Sequence, residues 1–136
     1  MKRFILALVL SMAMVIPTLV CAQTWHTTNQ ATVAWDAVPV ASGTVEYVLY
    51  LSNAITDPGK TNPAEIATVT DTTYIFTLNT EGRYFIGAKS RRLIDGVNVG
   101  ESEVVWTDNP AVCKDGIDFG IQYFEPPVAP GGFTTQ

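Results

Sequence analysis

Thr73-Tyr74-Ile75-Phe76-Thr77-Leu78, the turn Asn79-Thr80-Glu81-Gly82, and the run Arg83-Tyr84-Phe85-Ile86-Gly87-Ala88-Lys89 form the stretch that decides the fold. Tyr74, Phe76 and Leu78 fall on one side of the first run. Tyr84, Ile86 and Ala88 alternate with Phe85, Gly87 and Lys89 in the second, which continues to Arg91. A period of two is what a strand shows when one face turns to a core. Upstream, Ala31, Val33 and Trp35 share one face of Ala31 to Asp36, and Glu46 to Ser52 turns Tyr47, Leu49 and Leu51 inward and Val48 and Tyr50 outward. Glu65 to Thr70 sets Ile66 and Thr68 against Ala67 and Val69, and Glu101 to Thr107 is the last run of the series. Between them Pro39, Ser42-Gly43, Asp57-Pro58-Gly59, Asn62-Pro63 and Asp95-Gly96 supply turns and loops. Short alternating runs separated by turn chemistry predict an all-β protein, an antiparallel two-sheet sandwich. Its expected core is the same-parity set Trp35, Tyr47, Leu49, Tyr74, Phe76, Leu78, Tyr84 and Ile86.

Composition agrees with strands. After residue 22 there are 16 Thr and 12 Val but only 4 Leu, a balance that suits pleated surfaces better than helices. Residues 1–22 read separately, as a secretory signal peptide: Lys2 and Arg3, an apolar run from Phe4 to Ile16, and Val20-Cys21-Ala22 as a small-residue cleavage pattern. The apolar run is shorter than the roughly 20 residues of a membrane span, and Pro17 interrupts its end. The expected product is therefore secreted, periplasmic or extracellular. Lipid anchoring at Cys21 is disfavoured, because Thr18 stands where such sites carry Leu. Cleavage after Ala22 would leave 114 of the 136 residues, one domain, with six basic and 13 acidic side chains and a net charge of −7. That charge argues against nucleic-acid and anionic-membrane partners, which need a basic patch. Cys113 would be the sole thiol, and its ranked roles are a buried small hydrophobe, an intermolecular bridge and a reactive nucleophile.

The order of these features resembles a fibronectin type III domain over about Gln30 to Thr107. Trp35 closes an early strand, Tyr47-x-Leu49 follows, then Tyr74-x-Phe76-x-Leu78, Tyr84-x-Ile86-x-Ala88 and Gly100-Glu101-Ser102. Leu78-x-x-x-Gly82-x-Tyr84 is similar to the family's tyrosine corner, with Thr80 where the family usually has Pro, and Trp35 looks like its core Trp. The resemblance implies an immunoglobulin-like sandwich in a single copy. One departure stands out: only Gln23 to Asn29 precede the Trp35 run, so the first strand of the family is short or missing.

Catalytic chemistry finds little support. His26 is the sole imidazole and lies close to the start of the mature chain, where a general base is hard to hold in place. Glu101 and Glu103 share a strand face but have nothing to raise either pKa, and Asp115-Gly116-Ile117-Asp118 lacks the remaining ligands of a calcium loop. No enzyme activity, metal or cofactor is expected. Binding remains, through a protein partner of unknown identity or, alternatively, a carbohydrate stacked on Trp25, Tyr50 and Trp106. The connection Arg91-Arg92-Leu93-Ile94-Asp95, running on to Asn98, is the candidate binding loop; it corresponds to the loop that some fibronectin type III domains use for cell receptors, without their Arg-Gly-Asp. Its arginines would meet an acidic partner, whereas the plainer alternative is a hairpin whose Leu93 folds back on the sandwich.

The rest of the chain divides at residues 108–125, an extension, and 126–136, a Pro/Gly-rich tail. Ile117, Phe119, Ile121 and Tyr123 alternate as one face of an added strand, long enough to fill the edge left by the missing first strand within its own chain. Its insertion into a neighbouring copy would give a strand-exchange assembly, the self-associating alternative. The expected function is a non-catalytic secreted binding or structural module, mediating protein interaction or adhesion at the cell envelope, with an enzyme-accessory, carbohydrate-binding role as the rival.

Overall fold

A computed structural model describes residues 23–136; the signal-peptide and Cys21 readings lie outside the described residues. Among the described residues nine strands follow one another: β1 (Thr24–Thr27), β2 (Gln30–Ala34), β3 (Thr44–Asn53), β4 (Ala64–Val69), β5 (Thr73–Thr77), β6 (Gly82–Ile94), β7 (Val97–Glu101), β8 (Val105–Trp106) and β9 (Phe119–Tyr123). A single 3-10 turn, Lys114–Gly116, precedes β9. The larger sheet runs β1-β9-β6-β3-β4, with β7 and β8 also on β6, and the smaller sheet is β2-β5. All pairs are antiparallel except β1 with β9, which is parallel. The protein is an all-β, two-sheet sandwich with an added C-terminal strand, and its sheets do not close into a barrel.

β6 is longer than the run to Arg91, because β3 pairs with it through Thr44↔Leu93 and β7 through Ile94↔Val97. Only Asp95 and Gly96 remain as the connection, at φ 52° and 78°, the positive-φ backbone whose twist suits a two-residue hairpin. The expected loop is thus mostly strand. The run Glu101 to Thr107 is likewise not one strand, since pairing with β6 breaks between Glu101 and Val105.

The core closes on Tyr47, Leu49, Phe76, Leu78, Ile86 and Ile121, with Trp35, Tyr74 and Tyr84 half-buried against it. Ile121, from the added strand, is 0% exposed. The Tyr84 hydroxyl donates to the Thr80 carbonyl at 3.1 Å, bracing the crossover from β5 to β6. The outer face of the larger sheet is covered too: Val48, on that face as the alternation places it, is 0% exposed. Trp106 lies across Gly87, where a Cβ would meet its ring at 2.8–2.9 Å, and Trp25 lies across Gly120 in the same way. Between them Trp25 packs on Phe85 at 5.4 Å, and Tyr50 sits 6.4 Å from Trp106.

Cations complete that cover. Lys60 Nζ stands 5.1 Å from the Phe85 ring centre and 5.7 Å from that of Trp106, Arg83 lies over Trp25 at 5.5 Å, and Lys89 over Tyr50 at 5.9 Å. Asp57 organises the loop that carries Lys60. Its carboxylate accepts from the Asn62 and then the Thr61 N–H group, at 2.9 Å each, which holds its pKa below the ordinary value.

Further along, Glu101 accepts from Lys89 Nζ at 3.1 Å and Arg91 Nε at 3.0 Å, and these bonds, Lys89 first, hold its carboxyl below its ordinary pKa. A carboxyl lowered in the folded state contributes stability that is complete above its unfolded pKa of about 4.3, and that is lost as pH falls through the lower folded value. The denaturant midpoint is therefore expected to fall on acidification below that range, and to fall less in Glu101→Gln. An equal fall in both proteins would remove Glu101 from the acid response.

Candidate functional site: the lateral groove beside β2

β7, β8 and β9 succeed one another along a single flank of β6, opposite Arg91–Ile94, Gly87–Ala88 and Gly82–Tyr84. Thr107 N–H donates to Ile86 O and Phe119 N–H to Thr107 O, both at 2.9 Å. Residues 108–118 are therefore an excursion from one strand lane, tied down where Lys60 meets Asp108 at 2.6 Å. β9 does not fill the edge of the Trp35 run. It enters the larger sheet between β6 and β1, because the last lane of β6 is vacated where the excursion begins. Ile117 lies outside β9 and is 59% exposed, while Phe119, Ile121 and Tyr123 belong to it.

The first strand exists but sits elsewhere. β1 pairs with β9, and after Thr28 and Asn29 the chain enters the smaller sheet as β2. Among the described residues β2 consequently has β5 on one side and no strand on the other. Leu78 N–H donates to Asn29 O and Trp35 N–H to Thr72 O, which assigns Asn29, Ala31, Val33 and Trp35 to the pairs bonded with β5. The N–H and C=O groups of Gln30, Thr32 and Ala34 face the free side. The Thr28 hydroxyl occupies both groups of Gln30, at 3.1 Å from its N and 2.6 Å from its O. Thr32 and Ala34 stay open.

Beside this edge lie two cavities, of about 400 Å³ and about 330 Å³, that share Val33, Ala34 and Phe119 in their walls. The smaller reaches His26 and Ile121; the larger reaches Trp35, Val105, Val112, Cys113 and Lys114. Trp35 Nε1 is buried in this region with no hydrogen-bond acceptor, and a buried donor in that state costs about 1–3 kcal/mol. A groove of apolar walls along an open strand edge is suited to an extended chain. No family model, curated protein or solved structure matches the chain.

The residues singled out in the sequence fall in different places. Arg91 binds Glu101 and stands 3.7 Å from Glu46, while Arg92 donates to the Ser42 carbonyl at 3.0 Å and its hydroxyl at 2.6 Å. Their guanidinium groups are engaged within the domain. Leu93 is half-buried in the hairpin, and Ile94, Val97 and Val99 are exposed on it. Trp25, Tyr50 and Trp106 do share one face, but that face is occupied by Arg83, Lys60 and Lys89, which stand where a sugar ring would stack.

His26 is exposed in β1 with its ring 5.8 Å from Phe119. Cys113 is half-buried, its thiol donating to Thr107 O at 3.3 Å. Burial first, then the charges of Asp118 and Asp108, push that thiol up in pKa and away from the reactive thiolate. Among the described residues no three of His, Cys, Asp and Glu converge as metal ligands, and no helix is long and apolar enough to cross a membrane. The groove itself was missed in the sequence. Its one available signal was the brevity of the segment before Ala31, which left β2 without a neighbour.

Proposed function

We propose that this protein is a non-catalytic, exported binding module of fibronectin type III character, and that it takes an extended segment of a protein partner along β2. The observation that carries this is the open Thr32 and Ala34 backbone beside the two apolar cavities. Strand addition would satisfy those groups and bury the groove walls at once. Export rests on the reading of residues 1–22. The family reading rests on the order of Trp35, Tyr47, Phe76 and Tyr84 together with the Tyr84 bridge.

Thr32→Pro tests the site with little risk to the fold, since the lost N–H faces away from β5 and proline is tolerated at strand edges. Circular dichroism and thermal unfolding are expected to stay near those of the wild type. Capture of partners from the producing cell's envelope and medium is expected to fall at least tenfold, about 1.4 kcal/mol. Undiminished capture by a folded variant would place the binding surface elsewhere.

A further inference from the structure

We propose that the β2 edge receives residues 131–136 of a second copy, linking subunits head to tail; this rests on the reading of the groove as a strand-receiving site. The donor segment is visible in the same chain. β9 ends at Tyr123, and no strand succeeds it. Val128 and Phe133, in that stretch, are 93% and 86% exposed, the largest values among the exposed large hydrophobic side chains of the described residues.

Pro126, Pro127 and Pro130 have no N–H and favour an extended backbone. At about 3.1 Å per residue, the seven residues from Phe124 to Pro130 give Gly131 a reach of roughly 20 Å from the end of β9. Gly131-Gly132-Phe133-Thr134-Thr135-Gln136 then offers six consecutive N–H groups, a match in length for the five residues of β2. From Pro126 onward the segment bears no charged side chain, so seating its side chains against the groove desolvates no charged side chain.

Register is set by the pleat. Phe133 set beside Val33 points to the same face as Val33, toward Phe119, within reach of the cavities that share these walls. Carbonyls of the incoming strand then meet the Thr32 and Ala34 N–H groups. Tail and edge are different patches of the subunit, so the contact is heterologous and propagates as a chain or closes as a ring.

Light scattering coupled to size exclusion, over a concentration series of the purified protein, tests this. The wild type is expected to grow in mass with concentration. Thr32→Pro, which spoils the acceptor edge, and Phe133→Asp, which spoils the donor at an exposed position, are each expected to remain monomeric with wild-type circular dichroism. Mixed in equal amounts, they are expected to form a complex of one of each and nothing larger, since one intact edge and one intact tail remain.

A wild type that stays monomeric throughout overturns the proposal, as does association that persists in both variants. A monomer whose Thr32 and Ala34 amides lose exchange protection in Phe133→Asp places the tail in its own groove and also overturns it. If the second copy fails in these ways while Thr32→Pro still abolishes partner capture, the groove remains a binding site for another protein. If Thr32→Pro alters neither assay, that reading falls as well.

Discussion

Deletion of residues 117–136 is expected to leave the domain unfolded, while deletion of 126–136 alone is expected to leave its melting temperature nearly unchanged at concentrations where the wild type is monomeric. The longer deletion removes β9, which lies between β6 and β1 and, among the described residues, is the only strand to which β1 is paired. It also removes Ile121, 0% exposed in the core, and opens the walls that Phe119 and Tyr123 supply. Truncating Ile121 to Ala alone is worth about 2–5 kcal/mol. Loss of the whole strand adds unpaired backbone on both neighbours, enough to exhaust a stability of about 5–15 kcal/mol. Thermal unfolding followed by Trp fluorescence reads the result, since Trp25 sits on β1 against Gly120. A 117–136 deletion that melts cooperatively near the wild-type temperature would show β9 to be dispensable.

Phe76→Ala is expected to be the most damaging single truncation, at about 3–5 kcal/mol, and Trp35→Ala to cost less despite removing more atoms. Phe76 is fully buried and edge-packed on Tyr74 at 5.0 Å. Trp35 is half-buried at the open side of the sandwich, its ring 5.4 Å from Tyr47, and its truncation also relieves an indole N–H that has no acceptor. Denaturant midpoints, with the slope unchanged, give the order. A larger loss in Trp35→Ala would mean that the groove wall, and not the Phe76 layer, is the centre of the core.

Period-two patterning was enough to read the all-β class and the strands around Tyr47, Phe76 and Tyr84, because a strand with one buried face must alternate. It misjudged the outer face of the larger sheet. Phe85 is covered by Trp25 and Lys60, residues distant from it in sequence, and Val48 on the same face is 0% exposed. The loop reading of Arg91 to Asn98 failed for a related reason: pairing with β3 and β7 extends β6 beyond the point where local turn chemistry suggests an end.

The candidate site shows the same division. The short segment before Ala31 and the alternation of Phe119, Ile121 and Tyr123 are properties of the amino-acid order, and they determine that one strand is stunted and another is added. Which edge each of them occupies is a matter of tertiary competition. β9 enters the lane vacated at Thr107, β1 joins it in the larger sheet, and β2 is left with an open side and a groove. Alternation specifies which face of a strand is apolar, but the backbone groups that choose a neighbour are alike in every residue except proline. The choice of neighbour, and with it the open edge of β2, was therefore decided only by how all nine strands pack.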